Sequence, residues 1–289
     1  MDMMYVKKAK KRKLGYNISM LIGSIILIVM LLMIIMDEGL ISADPYSLDW
    51  GAEYIVDDEV IKIEHPIQPN PIDKLGTDPL GRNVLSLLVA GTKVTVGIAF
   101  IATAIRIILG VVVSIYSRKI RKKITSIQYV LTLITGILIP YFILQIRYFR
   151  NLELLPAIIA YGTIIGLFGW WRVSSQVSLE EEAYESIQDK GKKALIKTMG
   201  PSIAINFFKE MGISLFILCV LGLLGITVGI DKYAEINTSW GSIPNYYPDW
   251  GGLLAIFPLA IRKGAYWLIV SPLMFFIIVI LGFILTSRG

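Results

Sequence analysis

The stretch ISMLIGSIILIVMLLMIIM, residues 18–36, contains no charged residue. The hydrocarbon core of a bilayer is about 30 Å thick, and an α-helix needs roughly 20 apolar residues to cross it. Inside that core no water can satisfy backbone N–H and C=O groups, so such a stretch folds as a helix. Residues 18–36 therefore predict a membrane-spanning helix.

Five further apolar runs have a similar length, and they lie at residues 94–117, 124–146, 154–171, 201–230 and 267–286. The 289-residue chain is 55% hydrophobic and only 17% charged, which is too apolar for one ordinary soluble core. The alternation expected of membrane β-strands is absent. We therefore predict an all-α integral membrane protein with six transmembrane helices.

The first run resembles a secretory signal in having basic residues before it. It is long for one, however, and Ile41 occupies the position of ISAD where a cleavage site needs a small residue. We expect a retained anchor within a single domain, residues 1–289. Its predicted parts are a basic tail (1–17), the first helix (18–36), an external loop (37–93) and a five-helix core (94–286).

Basic residues predict the orientation of these helices. They cluster before the first run and between the second and third, at Lys7, Lys8, Lys10, Lys11, Arg12, Lys13, Arg118, Lys119, Arg121, Lys122 and Lys123. Such clusters face the cytoplasm, so we expect both termini inside. The net charge of +6 is then explained by loops beside anionic lipid, and no nucleic-acid partner is needed.

A turn-rich segment, HPIQPNPIDKLGTDPLGRNVLSLL, follows the first run at residues 65–88. Asp78 precedes Pro79, a pairing typical of a helix N-cap followed by proline at the first helical position. We expect a short helix over residues 79–90 that lies on the outer membrane surface, with Gly91 turning the chain inward.

This segment is similar to the His-Pro-Leu-Gly-Thr-Asp-x-x-Gly-Arg-Asp-Val-Leu-Ser motif of C-type permease subunits in peptide and nickel ABC importers. GWWRVSSQVSLEEEAYE (169–185), SWG (239–241) and Trp267 with Pro272 resemble later parts of that family in the same order. Asn83 stands where the family usually has Asp. The matching motif residues are Gly76, Thr77, Asp78, Gly81 and Arg82.

The resemblance implies a divergent member with the type I ABC importer permease fold in the cytoplasmic membrane of a bacterium. It implies a second homologous permease, two ATPase subunits and an extracellular substrate-binding protein as partners. ATP and Mg would be bound by the ATPases, so this chain carries no cofactor. The implied substrates are di- and oligopeptides, with nickel or metal chelates as the alternative.

A cytoplasmic loop is predicted at residues 172–200. Ser178 and Glu181 have the spacing of a capping box, residues 179–190 can form a helix, and Gly191 provides its end. In the resembled family this helix docks on the ATPase. The coupling residues it implies here are Glu182, Ala183, Glu185, Ser186 and Gly191, although Ser186 and Ile187 replace two family alanines. A solvated charged loop is the alternative interpretation.

Two charges fall within the apolar runs. Arg106 is about 15 Å from the inner end of the second run and Glu210 about 13 Å from that of the fifth. A lone charge there costs at least about 3 kcal/mol, so we predict that both line the translocation pathway as a pair. The alternative is that the fifth helix begins near Met211, which leaves Lys209 and Glu210 among the headgroups and Arg106 alone in a wet cavity.

Aromatic residues cluster in the last external loop, at Tyr246, Tyr247, Trp250 and Phe257. They could contact a binding protein or guard the outer mouth, but an interfacial aromatic belt is the usual reason for such rings.

Enzyme chemistry is not indicated by the sequence. The chain lacks the Gly-rich phosphate-binding motif of ATPases, and His65 is its only histidine, which argues against metal clusters needing two and against His-based triads. We therefore predict a transport subunit with no metal site. A stand-alone secondary transporter or channel is the alternative class, and it would be expected to have broken helices and ionisable residues near the midplane.

Overall fold

The computed structural model describes residues 2–35, 53–56, 59–62, 65–116, 126–146, 152–176, 192–228, 236–238, 241–243 and 247–287. Its long helices are α1 (Asp2–Ile35), α2 (Val84–Tyr116), α3 (Ser126–Leu144), α4 (Leu154–Gly166), α6 (Lys192–Leu223) and α9 (Trp267–Thr286). The short helices are α5 (Trp170–Gln176), α7 (Trp250–Ala255) and α8 (Phe257–Arg262).

Within the described residues, four helices are long and apolar enough to cross a membrane: parts of α1, α2 and α6, and all of α9. A fifth is counted if α4 and α5, which are bent by 53°, form one broken span. The chain is thus a multi-pass helical membrane protein. Six spans and the cytoplasmic placement of both ends stay predictions.

Two antiparallel hairpins accompany the helices and were not predicted. Strands β1 (Glu53–Val56) and β2 (Glu59–Lys62) pair with Glu53 opposite Lys62. Strands β3 (Ile236–Thr238) and β4 (Gly241–Ile243) pair with Ile236 opposite Ile243. Both hairpins lie between predicted apolar runs. Their strands are close in the sequence, so the backbone hydrogen bonds between them form without crossing the hydrocarbon core.

The bundle is apolar outside and contains polar groups inside. Leu21, Ile35 and Phe142 are among many large apolar side chains that are more than half exposed, as expected of surfaces that face lipid. Arg106, Thr103 and Ser214, in contrast, are fully buried. Because lipid gives no hydrophobic drive for helices to associate, this interior polarity and close packing must hold the helices together.

Small residues allow that close packing. A Cβ on Gly162 of α4 would lie 2.7 Å from the side chain of Ile101 on α2, and one on Gly23 of α1 would lie 2.7 Å from the Gly282 carbonyl of α9. Side chains at these positions would separate the helices, which explains why α2 packs on α4 and α1 on α9.

The prediction of a separate interfacial helix over residues 79–90 is wrong. Residues 77–83 form a tight loop, and α2 begins at Val84 and continues through Gly91 without a turn. Asn83 is the residue that starts this helix, because its side-chain oxygen accepts from the Ser86 amide at 3.0 Å. Gly91 serves close packing instead, since a Cβ there would lie 3.0 Å from the Asp249 Cα.

Candidate functional site: a buried ion-pair cluster at a broken helix

Arg106 on α2 is completely buried and makes four hydrogen bonds. Its Nη1 donates to Glu210 Oε2 (3.2 Å) and to Ser214 Oγ (2.9 Å) on α6. Its Nε donates to the Phe168 carbonyl (2.9 Å) and its Nη2 to the Ile165 carbonyl (3.2 Å). Four bonds nearly exhaust the five N–H groups of a guanidinium, so this charge is held in place by the protein itself.

Glu210 is the shared partner of two arginines. Its Oε2 accepts from Arg106 on α2 and from Nη2 of Arg172 on α5, the latter at 2.9 Å. All three side chains are at most 5% exposed. One carboxylate therefore connects three helices in a low-dielectric interior, where charge-assisted bonds are strong and an unpaired charge is expensive.

The predicted Arg106–Glu210 pair is formed in the structure, and α6 runs continuously past position 210. The alternative start of this helix near Met211 is therefore wrong. A role of the pair in the translocation pathway stays a prediction. Because Arg106 donates to four protein groups, the geometry favours a structural link between helices over direct contact with a substrate.

Hydroxyl groups complete the cluster on the α2–α6 side. Ser214 Oγ donates to the Glu210 carbonyl at 2.9 Å, and Thr103 Oγ1 lies 3.0 Å from Ser214 Oγ. Since the single Ser214 proton is used on the carbonyl, Thr103 is the donor to Ser214. Asn206, one turn before Glu210 on α6, is also buried, and its Nδ2 has no hydrogen-bond partner among the described residues.

The cluster sits where the fourth apolar run breaks. That run, predicted to be one helix over residues 154–171, is split into α4 and α5 by a turn at residues 167–169, in which Gly169 has φ +90°. The break frees backbone carbonyls that lipid cannot satisfy, and Arg106 binds two of them. A cation also interacts favourably with the negative end of a helix dipole. Arg106 thus stabilises the broken end of α4.

The α5 segment is held against α2 by a glycine contact. Val173 of α5 is 1% exposed, and a Cβ on Gly110 of α2 would lie 2.6 Å from the Val173 Cβ. The same Cβ would also lie 2.9 Å from the Trp170 carbonyl. Only glycine at position 110 permits this approach, which places Arg172 beside α6.

A second ordered region, residues 65–83, contains the motif and is named the outer loop after its predicted side of the membrane. Asp78 Oδ1 accepts from the amides of Leu80 and Arg82 at 2.9 Å, and Oδ2 pairs with the Arg82 guanidinium through Nε and Nη2 at 2.8 Å. Both side chains are at least nine-tenths buried. Asp78 therefore organises a loop, instead of capping the helix that was expected to begin at Pro79.

The remaining motif residues support the same loop. Thr77 Oγ1 accepts from the Ile67 amide and lies 2.8 Å from His65 Nδ1. Gly76 and Gly81 have φ of 75° and 79°, which disfavour other residues. A Cβ on Gly76 would also lie 2.5 Å from the Ile67 carbonyl and 2.9 Å from Trp267 Nε1. The motif thus lies against Trp267 at the start of α9, a second residue on which the predicted resemblance depends.

Asp249 is a buried carboxylate next to the outer loop. Its Oδ1 accepts from the Gly252 amide at 2.6 Å as the N-cap of α7. Burial raises the pKa of Asp249 to about 7, although hydrogen bonds from the amides of Gly252, Val228 and Gly251 oppose that shift. A cavity of about 20 Å³, lined in part by Asp78, Arg82, Tyr247 and Asp249, separates it from the outer loop.

The predicted aromatic belt is wrong for Trp250. This residue is fully buried, its amide donates to Thr95 Oγ1, and its indole N–H donates to the Leu88 carbonyl at 2.8 Å. Its ring contacts Phe275 and Phe276 edge-on. Tyr247 and Phe257 are half-buried, and Tyr246 lies outside the described residues. Trp250 therefore fixes α7 inside the bundle.

The sequence analysis missed Arg172, Asp249 and the helix break. The only local signal for the break was Gly169 before Trp-Trp-Arg, at the end of the fourth run. The predicted coupling residues lie outside the described residues, so their ATPase-docking role stays a prediction: Glu182, Ala183, Glu185, Ser186 and Gly191. Compared with known proteins, the chain matches no family model and no curated sequence.

Proposed function

We propose that this chain is a permease subunit of an ATP-driven importer. It forms half of a translocation pathway together with a second homologous permease. Two ABC ATPase subunits bind and hydrolyse ATP with Mg, and an extracellular binding protein delivers the substrate. Di- or oligopeptides are the proposed substrates, with nickel or metal chelates as the alternative.

The observation that carries this proposal is the course of the chain after the broken helix. The short helix α5 is fastened to the core by Arg172 and Val173, and the predicted coupling helix, residues 179–190, follows it closely in the sequence. If an ATPase moves the coupling helix, rigid contacts between that segment and the membrane helices are needed to transmit the movement. The Arg172–Glu210 ion pair and the Gly110–Val173 contact supply such a connection.

The outer loop gives independent support. The motif residues resemble the permease family as a sequence, and in the fold they cooperate in one structure around Asp78. The loop also contacts Trp267, which belongs to another part of the resemblance.

The test is affinity purification of the tagged chain in mild detergent, followed by mass spectrometry of the co-eluting proteins and an ATPase assay of the eluate. We expect a second permease and ATPases with a phosphate-binding motif, with measurable hydrolysis. A substitution of Glu185 or Gly191 should then reduce the hydrolysis that substrate stimulates. Elution of the chain alone, without ATPase activity, would contradict the proposal.

A stand-alone secondary transporter is a second candidate, and a specific observation favours it. Broken helices and ionisable groups inside the bundle are typical of such transporters, and α4–α5 with Arg106, Arg172 and Glu210 has both features. The extensive bonding of Arg106 argues for a structural role of the cluster. The co-purification experiment separates the two candidates, because a stand-alone transporter needs no ATPase.

A further inference from the structure

Two described contacts connect the second half of the broken span, α5, to the rest of the bundle. One is the packing of Val173 on Gly110 of α2, and the other is the ion pair between Arg172 and Glu210 of α6. The first contact is apolar and the second is ionic, so they constrain different motions of α5. The apolar contact permits rocking, whereas the ion pair resists separation of α5 from α6.

The turn before α5 has the features of a hinge. Gly169 adopts φ +90°, and α5 leaves α4 at an angle of 53°. The end of α4 is fixed on the other side of this turn, because Arg106 binds the carbonyls of Ile165 and Phe168. A displacement of α5 is therefore accommodated at Gly169 more easily than by α4.

Arg106 and Arg172 have different roles at Glu210. Arg106 binds the fixed end of the break and donates to Oε2 of Glu210 at 3.2 Å. Arg172 lies on the segment beyond the hinge and binds the same oxygen at 2.9 Å. If α5 moves, Arg172 transmits the movement to α6 through Glu210, while Arg106 keeps that carboxylate oriented.

We propose that Arg172 and Glu210 form a latch that transmits movement of α5 to α6, with Gly169 as its hinge. This inference rests on the proposed function, since the movement would come from an ATPase acting on the segment after α5. Arg172 and Glu210 are positioning residues in this mechanism and do not contact substrate.

Gly169 is also part of the latch itself. A Cβ at this position would lie 2.9 Å from Arg172 Nη2, the atom that binds Glu210. Replacing Gly169 with alanine therefore displaces the Arg172 guanidinium, besides straining the backbone. The variants Gly169→Ala and Arg172→Gln weaken the same ion pair by different means, and both leave the Arg106–Glu210 pair in place.

The test uses the complete complex purified with its ATPases, in a Cys219→Ala background with spin labels at Gln176→Cys on α5 and Lys209→Cys on α6. The distance between the labels is measured without nucleotide and after trapping with ADP and vanadate. We expect one distance in both states for the parent complex. Arg172→Gln and Gly169→Ala should each add a second distance, only in the trapped state, while ATP hydrolysis continues. Arg172→Lys should restore the single distance.

The matched control is Glu153→Gln, an exposed carboxylate at the start of α4 that receives the same chemical change as Glu210→Gln. Glu153→Gln should give the parent distances. Glu210→Gln should add the same second distance as Arg172→Gln, with a loss of stability because Arg106 also loses its partner. The latch is overturned if the variants give the parent distances in both states, or if the second distance is equally populated without nucleotide. Absence of ATPases from the parent complex would instead refute the proposed function.

Discussion

Glu210 Oε2 lies 3.2 Å from Nη1 of Arg106, although the two residues are 104 positions apart in the sequence. The pair joins α2 to α6 in the middle of an apolar bundle, and Arg172 adds α5 to it. A charged group is placed there at a large desolvation penalty, which only close pairing and further hydrogen bonds can offset. The cluster is therefore a point at which stability and helix arrangement depend on a few atoms.

Replacing Arg106 with methionine should lower the free energy of unfolding by about 3–5 kcal/mol, because Glu210 loses one buried partner and two carbonyls at the helix break lose their donor. The measurement is unfolding in mixed detergent micelles followed by circular dichroism. Lys209→Met is the control, because Lys209 is exposed next to Glu210 and should change stability by less than about 0.5 kcal/mol. Equal effects of the two substitutions would contradict the prediction.

Asp78→Ala should destabilise the outer loop by about 3 kcal/mol, since it removes the acceptor for two amides and the partner of the buried Arg82 guanidinium. The loop's resistance to limited proteolysis reports this effect directly. Gln68→Ala, in an exposed part of the same segment, is the control and should leave the cleavage rate unchanged. If Asp78→Ala is cleaved no faster than Gln68→Ala, the loop does not depend on this carboxylate.

Two glycines with similar backbone angles should respond differently to alanine. Gly76 has φ 75° and Gly264 has φ 70°, so both substitutions introduce strain of about 1 kcal/mol. A Cβ on Gly76 also collides with the Ile67 carbonyl, whereas a Cβ on Gly264 meets nothing within 4 Å. We expect Gly76→Ala to lower the thermal midpoint clearly more than Gly264→Ala. A similar decrease for both would show that strain alone decides.

The raised pKa of Asp249 predicts a pH dependence of the stability of the chain. Its pKa is about 7 in the folded chain, above the ordinary value of 3.8, so between these two pH values the folded state binds more protons than the unfolded state. The contribution of Asp249 to stability is therefore fully present below about pH 4 and is lost as pH rises toward 7. Asp249→Asn should remove this contribution, because the amide stays neutral at every pH and its oxygen can still accept from the Gly252 amide.

The measurement for Asp249 is the unfolding free energy of both proteins in detergent at several values between pH 4 and 8. Subtracting the two curves isolates the Asp249 contribution from that of the other carboxylates. We expect the parent chain to lose stability relative to Asp249→Asn as the pH rises. A difference that is independent of pH would mean that the carboxyl titrates at its ordinary pKa.

The outer loop illustrates why local sequence rules were only partly sufficient. The Asp78–Pro79 pair fits a helix start, and Asn83 fits one equally well as an Asn before an apolar run. Arg82 decides which of the two residues caps the helix. Its guanidinium binds Asp78 and closes the loop, so Asn83 caps α2. Propensity rules weigh each candidate cap separately and do not include such a competition.

The sequence by itself determined the class of the protein and the positions of its first and last spans. Residues 18–36 and 267–286 were predicted as spans, and the structure has α1 through Ile35 and α9 at Trp267–Thr286. The reason is physical: insertion in lipid depends on the composition of about 20 consecutive residues and hardly on the rest of the chain. The same local counting predicted that Arg106 and Glu210 could meet, and the two side chains form an ion pair.

Only the tertiary structure decided which groups meet in the interior. The break between α4 and α5, the joining of Arg172 to Glu210, and the burial of Asp249 and Trp250 all depend on which helix faces touch. Those faces are selected by close contacts such as Gly110 against Val173, between residues far apart in sequence. A buried charge needs a partner, and packing over long sequence distances determines which partner it finds.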